Sequence, residues 1–186
     1  FIDSLRENTI RGYALSSVYG ANTANSEFEV LTGLSTDRLP SGCVPWQYIN
    51  TDTESYVSIY KDLGYTTYAV HPYTSSFYNR KAAYPKIGID TLYFDDTLYA
   101  LGREGTLELT IDGKQITDDT FVRALTYYLE QNTDAPNFVF GISMENHQPY
   151  TNKYDTHTVT VSSNTIDAGV LADVENYTQG VAHADK

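Results

Sequence analysis

One pattern constrains the fold of this chain most. A helical apolar stripe is followed by a glycine and a β-rich run, and a second helix-then-strand unit follows about seventy residues later. Tyr56, Ile59, Tyr60 and Leu63 fall at i, i+3, i+4 and i+7, the spacing of one helix face, and Gly64 stands where a helix cap belongs. Tyr65–Val70 then reads as a strand, ended by His71-Pro72, because proline cannot continue a ladder. Thr117-Asp118-Asp119 supplies a cap and an acidic first turn for a second helix, with Phe121, Leu125, Tyr128 and Leu129 as its expected buried face. Asn137–Ser143 reads as a short buried strand after Asp134-Ala135-Pro136, and the residues from about Ile166 onward read as a helix. Helix and strand in alternation imply an α/β fold with a largely parallel sheet and helices on its faces. The stretch from Leu92 to Ile116 breaks the pattern. Leu107, Leu109 and Ile111 alternate with polar residues and lead into Asp112-Gly113, so a small antiparallel excursion is expected there.

A length of 186 residues fits a single domain, 1–186, able to bury a real core. The balance of 12 Lys+Arg against 24 Asp+Glu gives a formal charge of −12. Nucleic-acid binding needs a cationic footprint, so that partner class is excluded, as is unaided adhesion to anionic lipid. The lone Cys43 rules out an internal disulfide and a cysteine-rich zinc site. No apolar run is long enough to span a membrane, and no signal peptide is visible. The chain begins at Phe1 without methionine and stops at Lys186 inside helix-like sequence, which reads as an internal piece of a longer protein.

In open α/β sheets, ligands bind outside the carboxyl ends of the strands. His71 follows one expected strand, His147 follows another in Met144-Glu145-Asn146-His147-Gln148-Pro149-Tyr150, and Arg80 lies nine residues past His71. Converging on one rim, two histidines and an arginine would form an anion site, the arginine offering a planar fork for phosphate or sulfate oxygens. Each also has a plain reading, as a capped surface histidine or a salt-bridged arginine. Gly20-Ala21-Asn22-Thr23 runs into a helix whose buried face includes Phe28 and Leu31, with Gly33 as its cap. A Thr23 hydroxyl at a helix N-terminus sits in positive potential, which suits a nucleophile if a metal or base activates it, though by spacing alone the residue reads as an ordinary cap. Glu27 lies four residues on, outside a capping box, and is expected to serve the helix dipole. Trp46 is expected in the core or a pocket wall. His157, in an alternating run, is expected on the surface, and His183 has no evident partner. Asp95-Asp96 reads as a solvated loop pair, and Asn176-Tyr177-Thr178 as a chance match to a glycosylation triplet.

Together these segments resemble one family. Asn22-Thr23-Ala24-Asn25-Ser26-Glu27-Phe28-Glu29-Val30-Leu31-Thr32-Gly33 resembles the nucleophile segment of lipoteichoic acid synthases and related phosphoglycerol transferases, sulfatase-like enzymes of the alkaline phosphatase superfamily. Leu39-Pro40-Ser41-Gly42 with Pro45-Trp46-Gln47-Tyr48, His71-Pro72-Tyr73 with Tyr78-Asn79-Arg80, and Ser143–Tyr150 are similar to three further segments of that family, in order. The resemblance implies a partial sulfatase-like sheet, incomplete at both termini. It implies that Thr23 attacks phosphorus and ligates a divalent metal, manganese or magnesium. His71, Tyr78, Arg80 and His147 would hold the glycerol-phosphate head group. Tyr78 stands where many relatives carry tryptophan, and Ala21 where glycine is common.

The family's remaining metal ligands, a glutamate before this segment and an Asp-His pair after it, have no counterpart here. One threonine hydroxyl cannot hold a hard divalent cation, so this chain by itself is expected to bind metal weakly and to be inactive. The intact protein would move glycerol-phosphate from a phosphatidylglycerol-type lipid to a polymer or glycolipid acceptor, on the outer face of a bacterial membrane, tethered by segments outside this chain. The rival readings are a sulfatase- or phosphodiesterase-type hydrolase and a non-catalytic glycopolymer-binding domain. Cys43-Val44-Pro45-Trp46-Gln47 weakens the first, having glutamine where the sulfatase signature needs arginine.

Overall fold

The computed structural model describes residues 12–13, 23–131 and 134–185. Its centre is a three-stranded parallel sheet in the order β2-β1-β5, with β1 at Thr66–Val70, β2 at Thr91–Tyr93 and β5 at Asn137–Gly141. Tyr68 pairs with Thr91 and Val70 with Tyr93 on one side of β1, and Thr66 pairs with Asn137 and Val70 with Gly141 on the other. All three strands therefore end at one edge, where His71 N still donates to Tyr93 O before Pro72 closes the ladder.

Side chains alternate across a strand, so β1 feeds two cores. Ala69 packs with α1 (Thr23–Thr32), Trp46, Val57 of α2 (Tyr56–Asp62), Ala83 of α3 (Arg80–Ala83), Tyr84 and Ile87. Val70 packs on the other face with Leu98 of α4 (Asp95–Arg103) and with Phe121, Ala124 and Tyr128 of α5 (Asp118–Gln131). Helices thus cover both faces, as the alternating pattern predicts. A hairpin of β3 (Ile111–Asp112) and β4 (Gln115–Ile116) is the expected antiparallel excursion. Gly113 and Lys114 both have positive φ, at 54° and 67°, as its tight turn requires. The excursion is shorter than the sequence suggested, because Leu92 lies inside the parallel sheet. The last helix, α6, runs from Ala168 to Ala184 with Asp167 as its cap.

Several expectations about helix faces need correction. Tyr56, Ile59, Tyr60 and Leu63 are between 39% and 68% exposed, and only Val57 of α2 is buried. The helix is one residue out of phase with its apolar stripe because its cap, Ser55, is anchored to Ile87 O at 2.5 Å, which turns Val57 toward Trp46 and Tyr84. Leu129 is likewise exposed, and the buried face of α5 is Thr120, Phe121, Ala124 and Tyr128. Asp95-Asp96 form the acidic first turn of α4, a placement the helix dipole favours over a loop. Thr156–Val161 is not a strand. Its Thr158 and Val159 N–H groups donate to Gln179 Oε1, so a side chain of α6 takes the role a neighbouring strand would play. Asn176 of the glycosylation triplet is buried and accepts from Tyr154 N, a structural role.

Candidate active site

The site sits at the carboxyl edge of the sheet, where β1 and β5 deliver their following residues. A cavity of about 130 Å³ there is lined by Thr23, His71, Tyr78, Arg80 and His147, together with Tyr73, Phe77, Ile142, Ser143 and Met144. All five residues singled out from the sequence line this one cavity, although they come from four separated segments. At about 30 Å³ per water, the volume suits a small head group and not a polymer chain.

Thr23 is the first residue of α1 and is exposed. Its hydroxyl therefore lies among the unpaired N–H groups of a helix start, in positive potential. The turn at Gly20–Asn22 lies outside the described residues. One turn further on, Glu27 is buried at 4% exposure and has another task than serving the helix dipole. Arg80 Nη2 and Nε both donate to its carboxylate, Nε at 3.0 Å. Trp46 Nε1 donates to Oε2 at 3.2 Å and Tyr84 Oη to the same oxygen at 2.8 Å. Trp46 is itself held edge-on between Phe28 and Tyr84. Burial alone would lower the Arg80 pKa, but hydrogen bonding and attraction from Glu27 outweigh it, and the net movement is upward. Burial, with help from the Glu27 charge, pushes the Tyr84 hydroxyl up as well. The acid on the apolar stripe Ala24-Glu27-Phe28-Leu31 was the available signal for this role.

Arg80 is thus salt-bridged, and only 2% exposed, but buried Nη1 has no hydrogen-bond partner among the described residues. The turn before it is strained. Tyr78 and Asn79 both adopt left-handed backbone, with φ of 57° and 63°, an uncommon state for residues other than glycine. Asn79 Nδ2 holds the turn by donating to Trp46 O at 3.1 Å, and the Tyr78 ring lies 5.0 Å from the Arg80 guanidinium carbon.

His71 is 4% exposed, and its Nδ1 donates to Ile142 O at 3.0 Å. Burial pushes its pKa down to about 4, with the Arg80 charge adding to the effect. His71 is therefore neutral at physiological pH and keeps Nε2 as an acceptor. His147 is exposed and donates Nδ1–H to Gln148 O at 2.8 Å, which also leaves Nε2 as an acceptor.

A divalent metal does not fit the donors present. Among the described residues no three His, Cys, Asp or Glu side chains are grouped to hold one, and the carboxylate nearest to Thr23 along α1 is consumed by Arg80, Trp46 and Tyr84. Thr23 offers a single hydroxyl, short of the several oxygens such a cation needs. Cys43 is half-buried and is not among the residues lining the cavity. His157 is exposed, as expected, and rests on Asn176. His183, for which the sequence offered no partner, meets Glu145 Oε1 at 2.5 Å.

The sulfatase family model matches residues 1–186. This chain belongs to the sulfatase family. Within known relatives, it is 32% identical over 178 residues to a putative cyclic β-1,2-glucan modification protein of Rhizobium meliloti, covering 94% of this chain and 26% of that protein. It is 29% identical over 156 residues to the capsular polysaccharide biosynthesis protein RkpI of the same organism, covering 80% of this chain and 27% of RkpI. The chain therefore spans about a quarter of the length of these curated relatives. Among solved structures it is similar to the lipoteichoic acid synthase LtaP of Listeria monocytogenes, with a TM-score of 0.71, 22% identity, and coverage of 91% of this chain and 38% of LtaP. It is also similar to the phosphoglycerol transferase GacH of Streptococcus pyogenes, solved in complex with sn-glycerol-1-phosphate. There the TM-score is 0.70, the identity 21%, and the coverage 91% of this chain and 43% of GacH. These structures share the alkaline phosphatase-like sulfatase fold. No helix among the described residues is long and apolar enough to cross a membrane.

Proposed function

We propose that the protein to which this chain belongs is a phosphoglycerol transferase with Thr23 as its nucleophile. The observation that carries this reading is the single small cavity that unites Thr23 with His71, Tyr78, Arg80 and His147. Arg80 Nη1, without a partner among the described residues and beside a carboxylate that fixes the rest of the guanidinium, donates to a phosphate oxygen. Neutral His71 does not hold the anion. Its Nε2 accepts from a hydroxyl of the glyceryl group, while the Tyr78 ring supplies an aromatic wall. A plain phosphate or sulfate monoester lacks that hydroxyl, so the pair His71 and Arg80 selects a polyol phosphate.

In the first step Thr23 Oγ1 attacks phosphorus of a phosphatidylglycerol-type lipid. The new Thr23 O–P bond forms as the bond from phosphorus to the diacylglycerol oxygen breaks. The threonine proton passes to His147 Nε2 and then to the leaving oxygen, so diacylglycerol departs as the alcohol. In the second step an acceptor hydroxyl attacks the same phosphorus, gives up its proton, and frees Thr23 with its own proton restored. The relatives' association with glucan modification and capsular polysaccharide supports a glycan hydroxyl as acceptor. Manganese or magnesium, which the family resemblance implies, would need further ligands beside Thr23, and the same resemblance puts the reaction at the outer face of a bacterial membrane.

The test uses the full-length protein with phosphatidylglycerol labelled in its glyceryl head group. Diacylglycerol release, together with a Thr23 peptide heavier by one glycerophosphoryl group, is expected in the native protein and absent in Thr23→Ala. Release without any Thr23 adduct, or release surviving in Thr23→Ala, sinks the threonine nucleophile. Free glycerol phosphate in place of glycan product identifies a hydrolase.

A further inference from the structure

The wall of the cavity supplied by the β5 side is a short turn. Ser143, Met144 and His147 line the cavity, and the two residues between them, Glu145 and Asn146, contact α6. Glu145 is 2% exposed, with Oε1 at 2.5 Å from His183 Nδ1 and Oε2 accepting from Asp118 N at 2.6 Å. Gln179 Nε2 lies 2.6 Å from His183 Nε2, so the amide donates there and His183 donates Nδ1–H to Glu145. The Gln179 amide cannot turn over, because its oxygen is taken by Thr158 and Val159 N–H. Asn146 lies against the backbone of Gly180. A Cβ on Gly180 would stand 2.0 Å from Asn146 Oδ1, a distance no real side chain tolerates. Asn146 Nδ2 reaches Tyr177 O at 3.4 Å, and Lys153 Nζ braces the far end by donating to His147 O at 2.9 Å. Tyr177, Gly180 and His183 recur every three residues and so share one face of α6.

We propose that Gly180 and His183 are positioning residues: their contacts with Asn146 and Glu145 set where His147 stands in the cavity. Neither touches the cavity itself. That this placement governs turnover rests on the phosphoglycerol reading; the placement itself does not.

The test reads the histidine ring signals of the intact protein by NMR, without ligand. Gly180→Ala is expected to move the His147 signals and leave those of His71 in place. In an Asn146→Gly background, where the opposing oxygen and the Cβ that would itself lie 2.9 Å away are both gone, adding Gly180→Ala is expected to change nothing further at His147. Should Gly180→Ala fail to fold, a second pair decides the matter: His183→Ala moves the His147 signals, and His183→Asn, whose amide nitrogen replaces Nδ1, restores them. Unchanged His147 signals in the folded variants, or a shift from Gly180→Ala that persists without Asn146, overturns the proposal. With phosphatidylglycerol as substrate, Gly180→Ala is expected to lower kcat/KM by about 10²-fold. A native protein that never turns this lipid over, but whose His147 signals respond as stated, leaves the positioning role standing and removes the reaction.

Discussion

Glu27 grips Arg80 with both carboxylate oxygens, four residues beyond Thr23 on the same helix. The nucleophile candidate and the phosphate-binding candidate are thereby tied to one buried ion pair. Removing one partner of such a pair leaves a buried charge uncompensated. Glu27→Ala is therefore expected to cost about 3–5 kcal/mol of stability by denaturant titration. Glu27→Leu combined with Arg80→Met should cost clearly less than the sum of the two single changes, since no charge is left buried. Additive losses would mean that the pair is not coupled.

Thr23 stands at the opposite extreme of burial. It is exposed, so Thr23→Ala is expected to shift stability by no more than about 0.5 kcal/mol. Diacylglycerol release should fall by on the order of 10³-fold or more, and Thr23→Ser should retain measurable release because it keeps a hydroxyl. A Thr23→Ala protein with a clearly lowered melting temperature would assign this residue to the fold instead.

His71 gives a pH dependence with a defined sign. Its folded pKa of about 4 lies below the ordinary value of 6.5, so the unfolded chain binds the proton more readily. The stability from keeping this ring neutral is fully present above pH 6.5 and is lost as pH falls through that value toward 4. At 1.36 kcal/mol per pKa unit, the gap is worth about 3 kcal/mol. The stability difference between the native protein and His71→Gln should thus shrink by about 3 kcal/mol between pH 7 and pH 4. An NMR titration of the His71 ring with a midpoint near 6.5 would contradict it.

Gly88 tests the packing of α2 against the turn that follows α3. Its φ is 99°, and a Cβ there would lie 2.8 Å from Ser58 Cα and 2.9 Å from Ser58 N. These are backbone atoms and cannot swing aside. Gly88→Ala is expected to cost about 2–3 kcal/mol in thermal or denaturant unfolding. A neutral effect would mean that the start of α2 yields freely.

Much of the fold was legible because local signals and tertiary packing agree. The Gly64 cap, the run into β1 and the Asp112-Gly113 turn each act within a few residues. His71 and His147 could be named by their positions after strand ends, since a parallel sheet brings those ends to one edge, whereas Thr23 was marked by a helix start and Tyr78 only by the family resemblance. What the sequence hid was direction. Tyr56, Ile59, Tyr60 and Leu63 form a faultless stripe that faces outward, because Ser55 ties the helix to Ile87 O and decides its phase from outside. Glu27 and Glu145 look like surface acids in the sequence, and only long-range partners, Arg80 and His183, reveal them as buried. His71 as a neutral acceptor was equally hidden, since burial sets its charge and Ile142 O sets its tautomer.

The left-handed pair at Tyr78 and Asn79 limits how this chemistry can be transplanted. The turn keeps its shape only because Asn79 is fastened to Trp46 and Arg80 to Glu27, residues that belong to other stretches of the chain. A recipient scaffold given the 77–80 loop alone would relax those two residues into ordinary backbone and swing the arginine away. The heritable unit is the loop together with the first turns of α1 and the tryptophan turn, so changes in ligand preference should arise by altering Tyr78 or its neighbours within that frame and not by exchanging the loop.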